Sequence, residues 1–265
     1  MRVGFYQFRP VFGKVQKNLR KVLAGLQQVD ADLIVLPELP FTGYYFRDRY
    51  ETVALAEDLD NSSTIDGLKA VCRERDFYLV SGFAEKHRDK CFNSAVLIGP
   101  EGLLYRYRKL HLFNEEKNWF DQGDTPLQVN TIRDAKIGIM ICFDWIFPEV
   151  SRILAMEGAA IICHPSNLVL SYCQQAMITR CIENRVFAIT ANRFGMDKRP
   201  HGEMEFTGNS QIVAADGERI FSAPSQRQML YITDINPEQS CDKMITAYND
   251  VMADRRPEYY RKLLS

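Results

Sequence analysis

Apolar and polar positions along this chain follow two periods in turn, one suited to strands and one to helices. Residues 2–8 predict an opening strand. Residues 14–29 then place Leu19, Val22, Leu23, Leu26 and Val29 on one face at helical spacing. Leu33 to Pro37 is a short continuous apolar run, the pattern of a strand buried on both faces. Residues 62–76 predict a second amphipathic helix with Ile65, Leu68 and Val71 inward. Strands follow at 77–83, 92–98 and 103–107, the last two joined by the turn Gly99-Pro100-Glu101-Gly102. The second half repeats this order. A strand at 136–142 precedes a helix opened by Pro148, which suits a first helical position because its missing N–H has no partner there anyway. A strand at 159–163, a helix at 174–184 and a strand at 186–191 come next. Strands at 208–215, 219–223 and 228–235 are separated by Asp216-Gly217 and Pro224-Ser225. The tail, 245–265, is charged and aromatic with no clear period. The pattern predicts an α/β protein with a mixed sheet, arranged as two sheets with helices outside. No linker or composition shift marks a boundary, so residues 1–265 are expected to form a single domain.

Charge narrows the partners. With 33 basic and 34 acidic residues the formal net charge is −1, and nothing favours nucleic acid or an anionic membrane. No apolar run approaches the roughly 18 residues that would span a bilayer. The first residues lack the pattern of a signal peptide, and a cytoplasmic location is expected. The seven cysteines (72, 91, 142, 163, 173, 181 and 241) are odd in number with no C-x-x-C pair, which argues against a disulfide framework and a zinc knuckle. The four histidines show no H-x-x-x-H spacing and the glycines no phosphate loop, so neither metal nor cofactor is expected.

Candidate chemistry lies where three apolar runs end. The run 33–37 leads into Glu38, the run 103–108 into Lys109, and the run 136–141 into Cys142. Ligands of open α/β sheets sit beyond the carboxyl ends of strands, so an acid, an amine and a thiol at such ends read as one site. Cys142 falls on a strand-to-helix turn, a position expected to expose its sulfur and to leave the next backbone N–H, that of Phe143, free to face substrate. A nearby helix start would favour thiolate. Glu38 can take a proton from that thiol. An ammonium at Lys109 can stabilise an oxyanion. Glu116, seven residues on, could hold Lys109 in place or be a loop charge beside Glu115. His111 invites a Cys–His dyad, but nothing near it signals the orienting third group such a dyad needs. His164, before Pro165 at a strand end, reads as a wall of the pocket. Loops near 43–47, 113–120, 164–172 and 193–206 are expected to build that pocket.

Together these stretches resemble the nitrilase superfamily, the carbon–nitrogen hydrolases. The resemblance is carried by Leu36-Pro37-Glu38-Leu39, by Tyr107-Arg108-Lys109-Leu110-His111-Leu112-Phe113, and by Met140-Ile141-Cys142-Phe143-Asp144-Trp145-Ile146-Phe147-Pro148-Glu149. His164-Pro165-Ser166-Asn167-Leu168, Glu183-Asn184-Arg185-Val186 and Asp254-Arg255-Arg256-Pro257-Glu258-Tyr259-Tyr260 match as well, in order and at family spacing. It implies a four-layer αββα sandwich. Glu38 would be the general base, Lys109 the oxyanion stabiliser, Cys142 the nucleophile and Glu116 a second glutamate that positions substrate and lysine. Phe143, Trp145, His164 and Asn167 would contact substrate. The resemblance further implies a homodimer, or a higher homo-oligomer, packed through the helices at 148–157 and 174–184, with the tail reaching onto the partner. The activity implied is hydrolysis of a small aliphatic amide or ω-amide through a thioester. Trp145 and Ile146 occupy the places where N-carbamoyl amino acid hydrolases carry arginines, which leaves N-carbamoyl amines such as carbamoylputrescine as the alternative. An acyltransferase and a non-catalytic binding protein are the further readings.

Overall fold

The computed structural model of the protein describes residues 1–264. Its first half supplies strands β1 (Arg2–Gln7), β2 (Leu33–Val35), β3 (Tyr78–His87), β4 (Lys90–Gly99) and β5 (Gly102–Arg108). The second half supplies β6 (Val129–Ile132), β7 (Ala135–Ile139), β8 (Ile161–Ser166), β9 (Phe187–Asn192), the hairpin β10 (Phe194–Arg199) and β11 (Gly202–Thr207), then β12 (Gln211–Val213), β13 (Arg219–Ser222) and β14 (Met229–Asp234). One six-stranded sheet has the order β14-β1-β2-β3-β4-β5, and the other β13-β12-β9-β8-β7-β6. Each has a parallel core, β1-β2-β3 or β7-β8-β9, with antiparallel strands on both flanks. The helices are α1 (Val15–Leu26), α2 (Arg49–Leu55), α3 (Ser63–Arg75), α4 (Glu116–Trp119), α5 (Pro148–Met156) and α6 (Cys173–Asn184).

The period-2 pattern of the strands sorts the core into layers. Val3, Phe5, Leu33 and Val35 point at the second sheet and meet Ile137, Ile139, Ile161 and Ile189. The intervening residues Tyr6, Ile34 and Leu36 point outward, against Leu19, Val22 and Leu26 of α1 and Ile65 and Leu68 of α3. Outside the second sheet lie α5 and α6. Gly138 on β7 lets α5 close in, since a Cβ there would come within 2.9 Å of Leu154 Cδ2. The result is the α-β-β-α layering that the family resemblance implies.

The differences from the sequence reading have local causes. The strand expected at 136–142 ends at Ile139, because the Asp144 carboxylate takes the Ile141 N–H (2.9 Å) and turns the chain into a 3-10 turn, Cys142–Ile146. The strand expected at 159–163 runs instead from Ile161 to Ser166. Residues 193–206, expected to be a loop, contain most of the β10–β11 ribbon. It lies outside both sheets, and its alternation is short: in β11 Met204 and Phe206 pack inward between exposed Glu203 and Glu205, while β10 carries the charged run Asp197-Lys198-Arg199. The tail forms a two-rung ladder (Met244–Thr246 with Asn249–Asp250) and 3-10 turns, and Lys243 Nζ donates to the Asn184 and Arg185 carbonyls at the end of α6. Ser265, the last residue of the expected tail, lies outside the described residues. Among the described residues no helix is long and apolar enough to cross a membrane, and all seven cysteines are unpaired.

Candidate active site

Glu38 and Lys109 leave strands that run in one direction, since β5 is antiparallel to β4, β4 to β3, and β3 parallel to β2. Each is fixed by a close backbone approach. The turn at Glu38 lies directly over Gly82 of β3, where a Cβ would sit 2.6 Å from both Glu38 Cα and the Pro37 carbonyl oxygen. No larger residue leaves that space. Leu39 then reverses the chain with φ of 45°. Lys109 N donates to the Asn93 carbonyl (2.8 Å), and Gly123 packs against the Arg108 and Lys109 carbonyls.

Cys142 adopts φ of 41°, a left-handed conformation that costs a non-glycine residue about 1–3 kcal/mol and has to be held by its surroundings. Two side chains hold it. The first is Asp144, which is fully buried. It accepts from Ile141 N–H (2.9 Å) and Tyr107 OH (2.8 Å) on one oxygen, and from His111 N–H (3.1 Å) and His111 Nδ1 (2.8 Å) on the other. Because Tyr107 and His111 flank Lys109, this carboxylate ties the lysine segment to the cysteine turn. The second is His164, whose Nε2 donates to the Cys142 carbonyl oxygen (2.9 Å). Burial pushes its imidazole pKa down to about 4, so the ring is neutral near pH 7. His164 is thus a fully buried support beneath the cysteine turn. His111 is committed to Asp144 and stacks on Phe147 at 3.7 Å.

Glu38, Lys109 and Glu116, each no more than 1% exposed, gather within electrostatic reach of Cys142. Lys109 Nζ lies 2.7 Å from Glu38 Oε1 and 2.8 Å from Glu116 Oε1. Glu38 Oε1 also accepts from Asn93 Nδ2 (2.7 Å), while its Oε2 is buried without a partner. Glu116 accepts from Tyr44 OH (2.5 Å) and from Phe113 N–H (3.2 Å). Burial works against the Lys109 charge, but the Glu116 and Glu38 carboxylates outweigh it and raise its pKa. Burial also pushes the Glu116 carboxyl up to about 7, with Lys109 pulling it down and Glu38 adding to the rise.

The sulfur departs from expectation. Cys142 is 5% exposed, enclosed by Phe113, Phe143, Trp145 and the segment 167–170. Burial first and Glu38 second push its thiol well above the usual range, and Lys109 offsets only part of this. Burial therefore disfavours the thiolate, and the turn alone does not supply a ready one. The backbone N–H of Asn167 faces the sulfur. Phe143, Trp145 and Asn167, three of the four expected substrate contacts, do line the recess.

A family model for carbon-nitrogen hydrolases matches residues 2–241. The chain belongs to the carbon-nitrogen hydrolase family. It is 38% identical over 263 residues to a nitrilase of Pyrococcus abyssi (strain GE5 / Orsay), covering 98% of this chain and 99% of that protein. It is 31% identical over 261 residues to an (R)-stereoselective amidase of Pseudomonas sp, covering 97% and 92%. Its fold is that of a carbon-nitrogen hydrolase from Helicobacter pylori G27, with a TM-score of 0.90 at 24% identity, covering 100% of this chain and 98% of that one.

Three residues of the candidate site escaped the sequence reading: Tyr44, Asn93 and Asp144. Asn93 is an amide inside an otherwise apolar strand, and Asp144 a carboxylate two residues from the thiol, so both carried a signal. Tyr44 sits in an aromatic loop, where one hydroxyl does not stand out.

Proposed function

We propose that this carbon-nitrogen hydrolase is a thiol amidohydrolase that converts a small aliphatic amide or ω-amide to its acid and ammonia. The observation that carries this reading is the buried Lys109 side chain, bridging Glu38 (2.7 Å) and Glu116 (2.8 Å) within electrostatic reach of Cys142. Glu38 removes the Cys142 proton as sulfur bonds to the carbonyl carbon, and the π pair moves onto oxygen. The oxyanion is held by Lys109 and the Phe143 N–H, where one donor is worth about 10²–10³ in rate. Collapse expels ammonia, which takes the proton from Glu38 and leaves a thioester. Water then gives a proton to Glu38 and its hydroxide to the carbonyl. The second collapse releases the acid and the thiolate, which regains its proton. Glu116, held by Tyr44 and Phe113, keeps the lysine in place throughout. The seven unpaired cysteines suit a reducing compartment, and we place the enzyme in the cytoplasm.

The test is ammonia release by wild type and Cys142→Ala across aliphatic amides, ω-amides and ureido compounds. Release is expected from wild type alone. Equal release from both proteins would place the chemistry elsewhere. New amides formed when an amine is added would indicate acyl transfer in place of hydrolysis.

A further inference from the structure

Arg193, at the root of the β10–β11 hairpin, is the largest side chain that the fold buries completely among the described residues. Its Nη1 and Nη2 each donate to one oxygen of Asp197, both at 2.8 Å, while its Nε is buried without a partner. Burial works against the guanidinium charge, and Asp197 offsets only part of this. A buried pair of this kind often stabilises a fold no more than apolar residues of the same volume would, so stability alone does not account for it. What the pair supports is Phe206 of β11. The guanidinium lies over the Phe206 ring, 4.0 Å from its centroid. That ring meets Tyr44 edge-on, with centroids 5.8 Å apart at 83°. Trp119, at the far end of α4 from Glu116, meets the same Tyr44 ring at 5.9 Å and 80°. Two rings thus orient the Tyr44 phenol, whose hydroxyl donates to Glu116 Oε1, the oxygen that also bonds Lys109 Nζ.

The next residue of β11 reaches the other half of the site. Thr207 N–H donates to the Leu168 carbonyl (2.9 Å), and Asn192 Oδ1, at the end of β9, accepts from the Leu168 N–H (2.9 Å). Asn192 Nδ2 donates to Thr207 Oγ1 (3.0 Å) and to the Gly208 carbonyl (2.6 Å), and the Gly208 N–H donates to the Arg193 carbonyl (3.1 Å). Leu168 follows Asn167, whose backbone N–H faces the Cys142 sulfur. Two successive residues of one short strand therefore join the lysine side of the site to the cysteine side.

We propose that Phe206 is a positioning residue: through Tyr44 and Glu116 it sets Lys109 against Cys142, with β11 as the shared support and the Arg193–Asp197 pair holding its ring. The proposal rests on the amidohydrolase reading for its kinetics only. Ammonia release by the full chain is compared for wild type, Phe206→Leu, Tyr44→Phe and the double variant. Phe206→Leu keeps the site apolar and removes the ring edge, so kcat should fall about three- to tenfold with KM little changed. Because Phe206 acts through the Tyr44 hydroxyl, the double variant should lie within about twofold of Tyr44→Phe alone. Arg193→Met with Asp197→Leu exchanges the pair for apolar groups, a change that folds often tolerate, and should lower kcat by the same factor. This second route serves if Phe206→Leu does not fold. Unchanged kcat, a loss confined to KM, or losses that multiply with that of Tyr44→Phe would overturn the proposal. Alkylation by iodoacetamide, read by mass spectrometry on the Cys142 peptide with exposed Cys241 as the internal control, needs no substrate. In Phe206→Leu its rate at Cys142 should fall about three- to tenfold, because a displaced Lys109 favours the thiolate less, and its rate at Cys241 should not change. Equal rates at Cys142 would overturn the proposal even where no amide is hydrolysed, an outcome that by itself would overturn only the amidohydrolase reading.

Discussion

Asp144→Asn isolates the link between the lysine segment and the cysteine turn, because it keeps the shape and removes one oxygen and the charge. One carboxylate oxygen serves the Ile141 N–H and the other the His111 N–H. Whichever oxygen becomes the NH2, it faces a backbone donor that cannot reverse. The Tyr107 hydroxyl and the His111 ring can adapt on their own sides, but one backbone N–H, the buried one of Ile141 or the partly buried one of His111, is orphaned in either orientation. That orphan costs about 1–3 kcal/mol, and the loss of hydrogen bonds to a charged acceptor adds about 1.5–3 kcal/mol. The expected destabilisation is therefore about 2.5–6 kcal/mol, a large share of the roughly 5–15 kcal/mol that a domain holds. The same change frees Cys142 to relax from φ of 41°, moving the sulfur relative to Lys109. A displacement near 1 Å can cost about 10² in rate, so kcat should fall about 10- to 100-fold with KM little changed. Urea unfolding followed by circular dichroism, beside steady-state kinetics on the best amide, reads both effects. A stability change below about 1 kcal/mol with unaltered kcat would show that Asp144 does not tie the two segments together.

Three further outcomes are expected. Tyr44→Phe removes a donor that favours the charged form of Glu116, so the acid side of the kcat/KM profile should move to higher pH and the rate fall by about tenfold; an unmoved profile counts against the role given to Tyr44. His164, with its folded pKa near 4 and an unfolded value near 6.5, refuses a proton that the unfolded chain binds between those limits. Its contribution is complete above about pH 6.5 and is lost as pH falls toward 4, by roughly 3 kcal/mol in all, and urea midpoints in His164→Gln should fall less steeply over that window than in wild type. Ile153 and Met156 of α5 and Ile182 of α6 are exposed, with Ile245 and Tyr259 of the tail, on the surface expected to pair with a second copy. Light scattering at micromolar protein should give the mass of two chains, and a clean monomer would refute the pairing.

The layering of this protein was written in its sequence. The largely apolar strand at 2–8 and the continuous apolar run at 33–37 call for a sheet covered on both faces, and the stripes at Leu19-Val22-Leu26 and Ile65-Leu68 supply one covering layer. Such patterns survive because burying a face is a local property of period. The ribbon at 194–207 was harder to read, since the apolar face of β11 is limited to Met204 and Phe206 and β10 carries Asp197, Lys198 and Arg199. Glu38, Lys109 and Cys142 stood out because each ends an apolar run, but their environment did not. Whether Lys109 is a surface lysine or a fully buried ammonium depends on Glu116 and Glu38 arriving from different parts of the chain. The burial of the Cys142 side chain depends on Phe113 and segment 167–170 coming to line the recess beside it. Periodicity determines which faces are buried. Only the packing of the two sheets determines which charges meet, because Coulomb and desolvation energies depend on distances that sequence spacing does not encode.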